Sequence, residues 1–151
     1  MFEKVLVCLD GSAAAEKTLQ FITHEAVHLR SELVLLRVVA LPEVLIPANI
    51  PGSPGLPVRT QGAIKRATEQ EDEARSYLEG VAGPLRDRGI KVETAVIPGA
   101  SGETILNYAQ ENACTLIVIG AHGHGGFRRF ALGSTADYVV HRSEVPVLTV
   151  R

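Results

Sequence analysis

Residues 116–136 read LIVIGAHGHGGFRRFALGSTA. Leu116 to Ile119 is an unbroken apolar run, as a strand needs when both of its faces are buried. It passes at once into a loop, and Gly133-Ser134 then opens a helical pattern. From Gly120 to Ala136 there are five glycines, two histidines, two arginines and a Ser-Thr pair. A strand buried on both faces that feeds a helix through a glycine-rich turn belongs in a parallel sheet covered by helices.

The same alternation extends outward from this stretch. Val5 to Leu9 reads as a first strand. Ser12 is a good N-cap, and Ala15, Leu19, Ile22, Ala26 and Leu29 then recur at helical spacing on one face. Leu33 to Val39 is a second strand. Residues 41–62 hold five prolines and three glycines and predict a long loop rather than an element. Loops of that length are uncommon and often functional. Residues 63–88 predict a charged helix with Ala67, Ala74, Leu78, Val81 and Leu85 inward and KRATEQEDEAR as a solvated face. Val92 to Ile97 is a third strand. Ser101 to Ala113 is a helix with Ile105, Leu106 and Ala109 inward, and Leu116 to Ile119 is the fourth strand. Ser134 to Ser143 is the last helix and Val147 to Val150 the last strand. The pattern predicts one α/β domain over residues 1–151, a Rossmann-like doubly wound parallel sheet with helices on both faces and right-handed crossovers. Ligands of such sheets sit beyond the carboxyl ends of the strands, where the strand order reverses. If the first and fourth strands are neighbours there, Asp10-Gly11-Ser12 meets the glycine loop.

Composition narrows the function classes. A net charge of −2 gives no overall electrostatic footprint for nucleic acid or an acidic membrane surface, so neither is an expected partner. Affinity for phosphate must come from a local site. Cys8 and Cys114 each sit in an apolar run and read as buried, reduced thiols. MFEKVLVCLDGS has no signal-peptide pattern, and no apolar run approaches the roughly 20 residues that span a bilayer. The expected location is cytoplasmic.

The glycine loop suits an anion. Glycines let a ligand approach the main chain, successive N–H groups form a concavity, and a helix N-terminus adds its dipole. Ser134 and Thr135 carry hydroxyl donors, and Arg128 and Arg129 can close over outer phosphates. Other readings stand beside this one. Ser134 with Asp137 fits a capping box, which would occupy the same N–H groups. Gly125-Gly126 can simply be flexible, and the arginines can face solvent.

The spacing Gly120-x2-Gly123-x9-Gly133-Ser134 resembles the nucleotide-binding signature of the universal stress protein family. The likeness spans the chain through KVLVCLDGS, ELVLLRVV, GASGETILNYA and LIVIGAHGHGGFRRFALGSTADYVVHRSEVPVLTV. It implies a sheet of five parallel strands and an ATP-binding member of the family. By the resemblance, Asp10 contacts the ribose and Val38 meets the adenine through its backbone. Gly120 and Ala121 line the ribose side. Gly123, Gly133, Ser134 and Thr135 carry the phosphates, with Mg²⁺ or Mn²⁺ beside them. The resemblance also implies a homodimer through the last strand, which agrees with an apolar strand at an exposed sheet edge. The implied role is a stress-response sensor or regulator with a protein partner yet to be identified. Two features depart from the family pattern: Leu9 stands where many relatives have proline, and the segment 42–60 falls where relatives vary most.

His122-Gly123-His124 resembles the H-x-G-H of nucleotidyl transferases, but that motif follows the first strand and here it follows the fourth. Neither histidine has a third Cys, His or carboxylate close in sequence, so no protein metal site is expected. No Ser-His-Asp grouping appears, and no catalytic residue is assigned. Two alternatives remain: an interaction protein of the same fold without nucleotide, and a slow ATPase or phosphotransferase, for which positioned phosphates and a water would suffice.

Overall fold

A computed structural model describes residues 2–41, 45–46, 56–57, 61–121 and 132–151. In chain order the elements are β1 (Lys4–Cys8), α1 (Ala13–Leu29), β2 (Glu32–Val39), the two-residue strands β3 (Leu45–Ile46) and β4 (Leu56–Pro57), and α2 (Gln61–Asp87). They continue with β5 (Val92–Pro98), α3 (Ser101–Glu111), β6 (Leu116–Gly120), α4 (Ser134–Arg142) and β7 (Val147–Val150). Five strands form one parallel sheet in the order β5-β2-β1-β6-β7.

The chain steps outward from β1 to β2 and β5. It then returns through α3 to the far side of β1, where β6 and β7 follow. The reversal falls between β1 and β6, paired from Val5↔Leu116 to Cys8↔Ile119. This is the doubly wound arrangement expected from the strand–helix alternation.

Side-chain alternation sorts the core into two layers. Val5, Val7, Leu33 and Leu35 face Leu19 of α1 and Leu78 of α2. Leu6, Cys8, Val34 and Leu36 face Ile105 of α3 and Val139 of α4. Each fully buried Leu or Val contributes about 1.5–3 kcal/mol from removal of its apolar surface from water. The central strands carry such residues on both faces, which explains their unbroken apolar runs. Cys8 and Cys114 are free and buried, and burial pushes both thiols up from their ordinary range.

Some boundaries differ from expectation. The proline-rich segment contains the antiparallel pair β3–β4, with Leu45↔Pro57 and Ile46↔Leu56, and α2 begins at Gln61. Residues 42–44, 47–55 and 58–60 of that segment lie outside the described residues. The buried stripe of α2 is Ala63, Ala74, Leu78, Ala82 and Leu85, while Ala67 and Val81 are half-buried. α1 buries Ala15, Leu19 and Ile22 as its spacing predicts, and the side chains of Ala26 and Leu29 lie outside the described set. α3 ends at Glu111 because Ala113 takes a left-handed φ of 51° and turns the chain toward β6. No helix among the described residues is long and apolar enough to cross a membrane.

Candidate functional site

The carboxyl ends of β2, β1 and β6 meet at the reversal. β1 leads into Asp10-Gly11-Ser12. The Asp10 carboxylate accepts a hydrogen bond from Ser12 N–H at 2.9 Å, which folds the turn back on itself. Gly11 has φ +80°, a conformation that glycine adopts without strain. Ser12 then caps α1 through Ala15 N–H at 3.3 Å, as its sequence position predicts. Asp10 is exposed at the mouth of the crevice.

Backbone bonds along β2 alternate sides. Odd-numbered residues bond to the β5 side: Leu33 N–H donates to Lys91 O and Gly99 N–H to Val39 O, each at 2.9 Å. Even-numbered residues face β1, where Leu9 N–H donates to Leu36 O at 2.9 Å. Val38 N–H and C=O therefore turn to the β1 side, one step past the last pairing. They face the crevice instead of a strand. The Leu9 bond is one that proline could not donate, so the leucine extends the β1–β2 pairing by a residue.

β6 obeys the same alternation. Ile117 N–H donates to Pro146 O at 3.0 Å and Ala121 N–H to Val150 O at 2.7 Å, so Gly120 turns its N–H and C=O toward β1. A side chain at Gly120 would be tight, because an ideal Cβ there would lie 3.0 Å from Ala14 Cβ and 3.3 Å from its carbonyl carbon. This glycine lets the first turn of α1 close against the end of β6. Ala121 is fully buried, and its C=O accepts from Gly133 N–H at 2.7 Å. The chain thus leaves and returns at one neck, which brings the start of α4 to the end of β6.

α4 is capped by Gly133, with φ −62°, ψ 155° and no side-chain cap hydrogen bond. The capping-box reading of Ser134 is not what forms: Ser134 is the first helical residue and lies exposed. Among the described residues no side chain caps the N–H groups of the first turn, which lie beside the hydroxyls of Ser134 and the half-buried Thr135. Asp10, Val38, Gly120, Ala121, Gly133, Ser134 and Thr135 thus share the carboxyl edge of the sheet. Gly123, with His122, His124, Arg128 and Arg129, lies outside the described residues. Among the described residues no group of three or more His, Cys, Asp or Glu could hold a metal ion.

The sequence reading passed over Arg37 and Tyr77. The Arg37 guanidinium carbon lies 5.3 Å from the centroid of the Tyr77 ring, and its Nη1 would stand 3.4 Å from a Cβ at Gly11. Tyr77 Oη donates to Glu16 at 3.1 Å. Burial, then the Glu16 hydrogen bond, pushes the Tyr77 phenol up to about 12, so it stays protonated. The available signal was the one charge inside the apolar run LVLLRVV.

The Universal stress protein family profile matches residues 1–151. Universal stress protein YxiE of Bacillus subtilis is 32% identical over 151 residues, covering 100% of both chains. The solved structure of MJ0577, a universal stress protein of Methanocaldococcus jannaschii, superposes with a TM-score of 0.80 at 24% identity, covering 99% of this chain and 96% of that one. A universal stress protein from Archaeoglobus fulgidus, solved in complex with dAMP, superposes at 0.60 with 22% identity and complete coverage of both chains. The profile match over residues 1–151 and the YxiE relative show that the chain belongs to the universal stress protein family.

Proposed function

We propose that the crevice at the strand reversal binds ATP, with Mg²⁺ or Mn²⁺ on its phosphates, and that a homodimer of the chain uses this binding as a cytoplasmic stress sensor or regulator. The observation that carries the proposal is the pair of backbone groups on Val38, turned into the crevice past the last residue of the β1 pairing. A donor and an acceptor at that spacing match the hydrogen-bonding edge of adenine. Asp10 stands one strand over for the ribose, with Gly120 and Ala121 along its far side. Gly133, Ser134 and Thr135 offer N–H and hydroxyl donors for phosphate, and Gly123 belongs to the same phosphate set. The dAMP complex of the Archaeoglobus fulgidus protein supports an adenine nucleotide for the fold.

The metal fits this chemistry without a protein cage. Mg²⁺ bound with nucleotides takes most of its ligands from phosphate oxygens and water, so one hydroxyl from Ser134 or Thr135 is enough protein contribution. When bound it offsets the phosphate charge that Asp137, in the first turn of α4, would otherwise repel. Dimerisation is assigned to β7, at the end of the sheet order, whose four residues are all half-buried. A second copy covers such an edge. Nucleotide binding would change the surface that the protein presents to a protein partner.

Calorimetry of ATP with Mg²⁺ into nucleotide-free protein tests the reading, beside a folded Gly133→Val variant. Micromolar affinity, about 8 kcal/mol, that the variant loses is the expected result. Absence of heat in both would leave an interaction protein of the same fold. ADP release that scales with protein and disappears in Asp10→Ala would make it a slow ATPase.

A further inference from the structure

We infer that Arg37 is a positioning residue that fixes the Asp10-Gly11-Ser12 turn and through it sets recognition of the ribose. The inference builds on the nucleotide reading of the crevice, but its geometry stands without it. Arg37 is an odd-numbered residue of β2, so its side chain leaves the sheet on the face covered by α1 and α2, with Leu33 and Leu35. There the guanidinium lies over the side of Gly11 that a Cβ would occupy, with Nη1, Nη2 and the guanidinium carbon 3.4, 3.6 and 3.7 Å from that position, and its carbon is 5.3 Å from the centroid of the Tyr77 ring. Tyr77 is in turn tied to α1 through Glu16. Three elements therefore hold one guanidinium against one turn.

Two further facts give this arrangement a purpose. Arg37 makes no ion pair with a carboxylate among the described residues, although Asp10 and Glu16 stand in its neighbourhood. The half-buried guanidinium stacks on the Tyr77 ring. Gly11 has a φ of +80°, and the guanidinium fills the space beside it, with Nη1 3.4 Å from the position a Cβ would take, so we read Arg37 as the side chain that backs this turn. Any slackening there moves the Asp10 carboxylate, because that carboxylate is anchored by Ser12 N–H within the same turn.

The test uses purified full-length protein with Arg37→Ala, Tyr77→Leu and Tyr77→Phe. In the absence of nucleotide, hydrogen exchange at the Ser12 amide reports the turn directly. Arg37→Ala and Tyr77→Leu should speed that exchange about fivefold or more, in the range of couplings between contacting groups, while Tyr77→Phe, which keeps the ring and loses only the Glu16 tie, should speed it less. With nucleotide, the affinity ratio of ATP to 2′-deoxy-ATP should fall toward one in Arg37→Ala, and Asp10→Ala added to Arg37→Ala should bring no further fall. A purely structural role would weaken both nucleotides alike, and a direct phosphate contact would weaken ATP much more than adenosine. Folded Arg37→Ala protein with unchanged Ser12 exchange overturns the inference even if ATP binds. Faster Ser12 exchange in a protein that binds no nucleotide leaves the positioning of the turn intact and refutes the nucleotide reading instead.

Discussion

Replacing Gly120 by alanine should destabilise the protein through one contact. An added Cβ would lie 3.0 Å from Ala14 Cβ, 3.3 Å from Ala14 C and 3.4 Å from Ala14 O. Relaxed carbon–carbon contacts lie at about 3.5–4.0 Å, so the start of α1 must back away from β6 by several tenths of an ångström. Two of the three contacts are backbone and cannot rotate aside. Overpacking of this kind costs about 1–3 kcal/mol. The smaller conformational entropy of alanine in the unfolded chain returns about 0.4–1 kcal/mol. At the middle of both ranges the net cost is about 1.3 kcal/mol, and for a domain of this size each kcal/mol shifts Tm by about 2–4 °C, so the expected fall is about 3–5 °C. Ala14→Gly should relieve the Cβ contact but not the backbone ones. Thermal and urea unfolding of the four-member cycle should therefore show partial rescue, with a coupling of about 0.5 kcal/mol or more. A Gly120→Ala protein as stable as its parent, or strict additivity with Ala14→Gly, would refute the claim that this glycine exists to let α1 close on β6.

Gly102→Ala in α3 should cost about 1–3 kcal/mol, because its Cβ would meet the Tyr138 ring at 2.5 Å and push that ring off Arg142, which stacks on it at 4.2 Å; urea unfolding and near-ultraviolet circular dichroism read the two effects. At the opposite end of the sheet, a hydrogen bond from Lys91 at 2.7 Å, and Lys4 at 3.6 Å, hold the Glu32 carboxyl below its usual range against the opposing effect of burial. A depressed carboxylate contributes stability that is complete above its unfolded pKa, about 4.3, and is lost as pH falls through the folded value. Glu32→Gln should therefore flatten the acid limb of a stability–pH profile below about pH 5 and leave its neutral plateau nearly level in slope; an unchanged acid limb contradicts the assignment.

The fold was readable because its central strands announce themselves. VLVCL, LVLLRVV and LIVI are apolar without alternation, and only a parallel sheet covered on both sides uses such runs. Element order raised the reversal between the first and fourth strands only as a condition, and the pairing of β1 with β6 meets it. Turn chemistry at Ser12 was legible for a local reason, since a cap needs only its own next three residues. The start of α4 was ambiguous because Gly133 and Ser134 are both good caps, and the tie between Gly133 and Ala121 that selects the glycine is a contact between loop ends. Arg37 was overlooked for a related reason. Its meaning depends on Gly11 and Tyr77, which are distant in sequence and meet only across β2, β1 and α2. The β3–β4 pair escaped notice because a two-residue strand carries no periodicity.

The central claim is that Val38, Gly120 and the first turn of α4 form one adenine-nucleotide site. Backbone amide NMR shifts recorded while ATP and Mg²⁺ are added test it most directly. The account predicts saturable shifts at the Val38, Gly120, Ser134 and Thr135 amides with one common dissociation constant, and none at Lys91, which lies at the amino end of the sheet. Saturable binding that shifts other amides and leaves Val38 and Ser134 in place would contradict it.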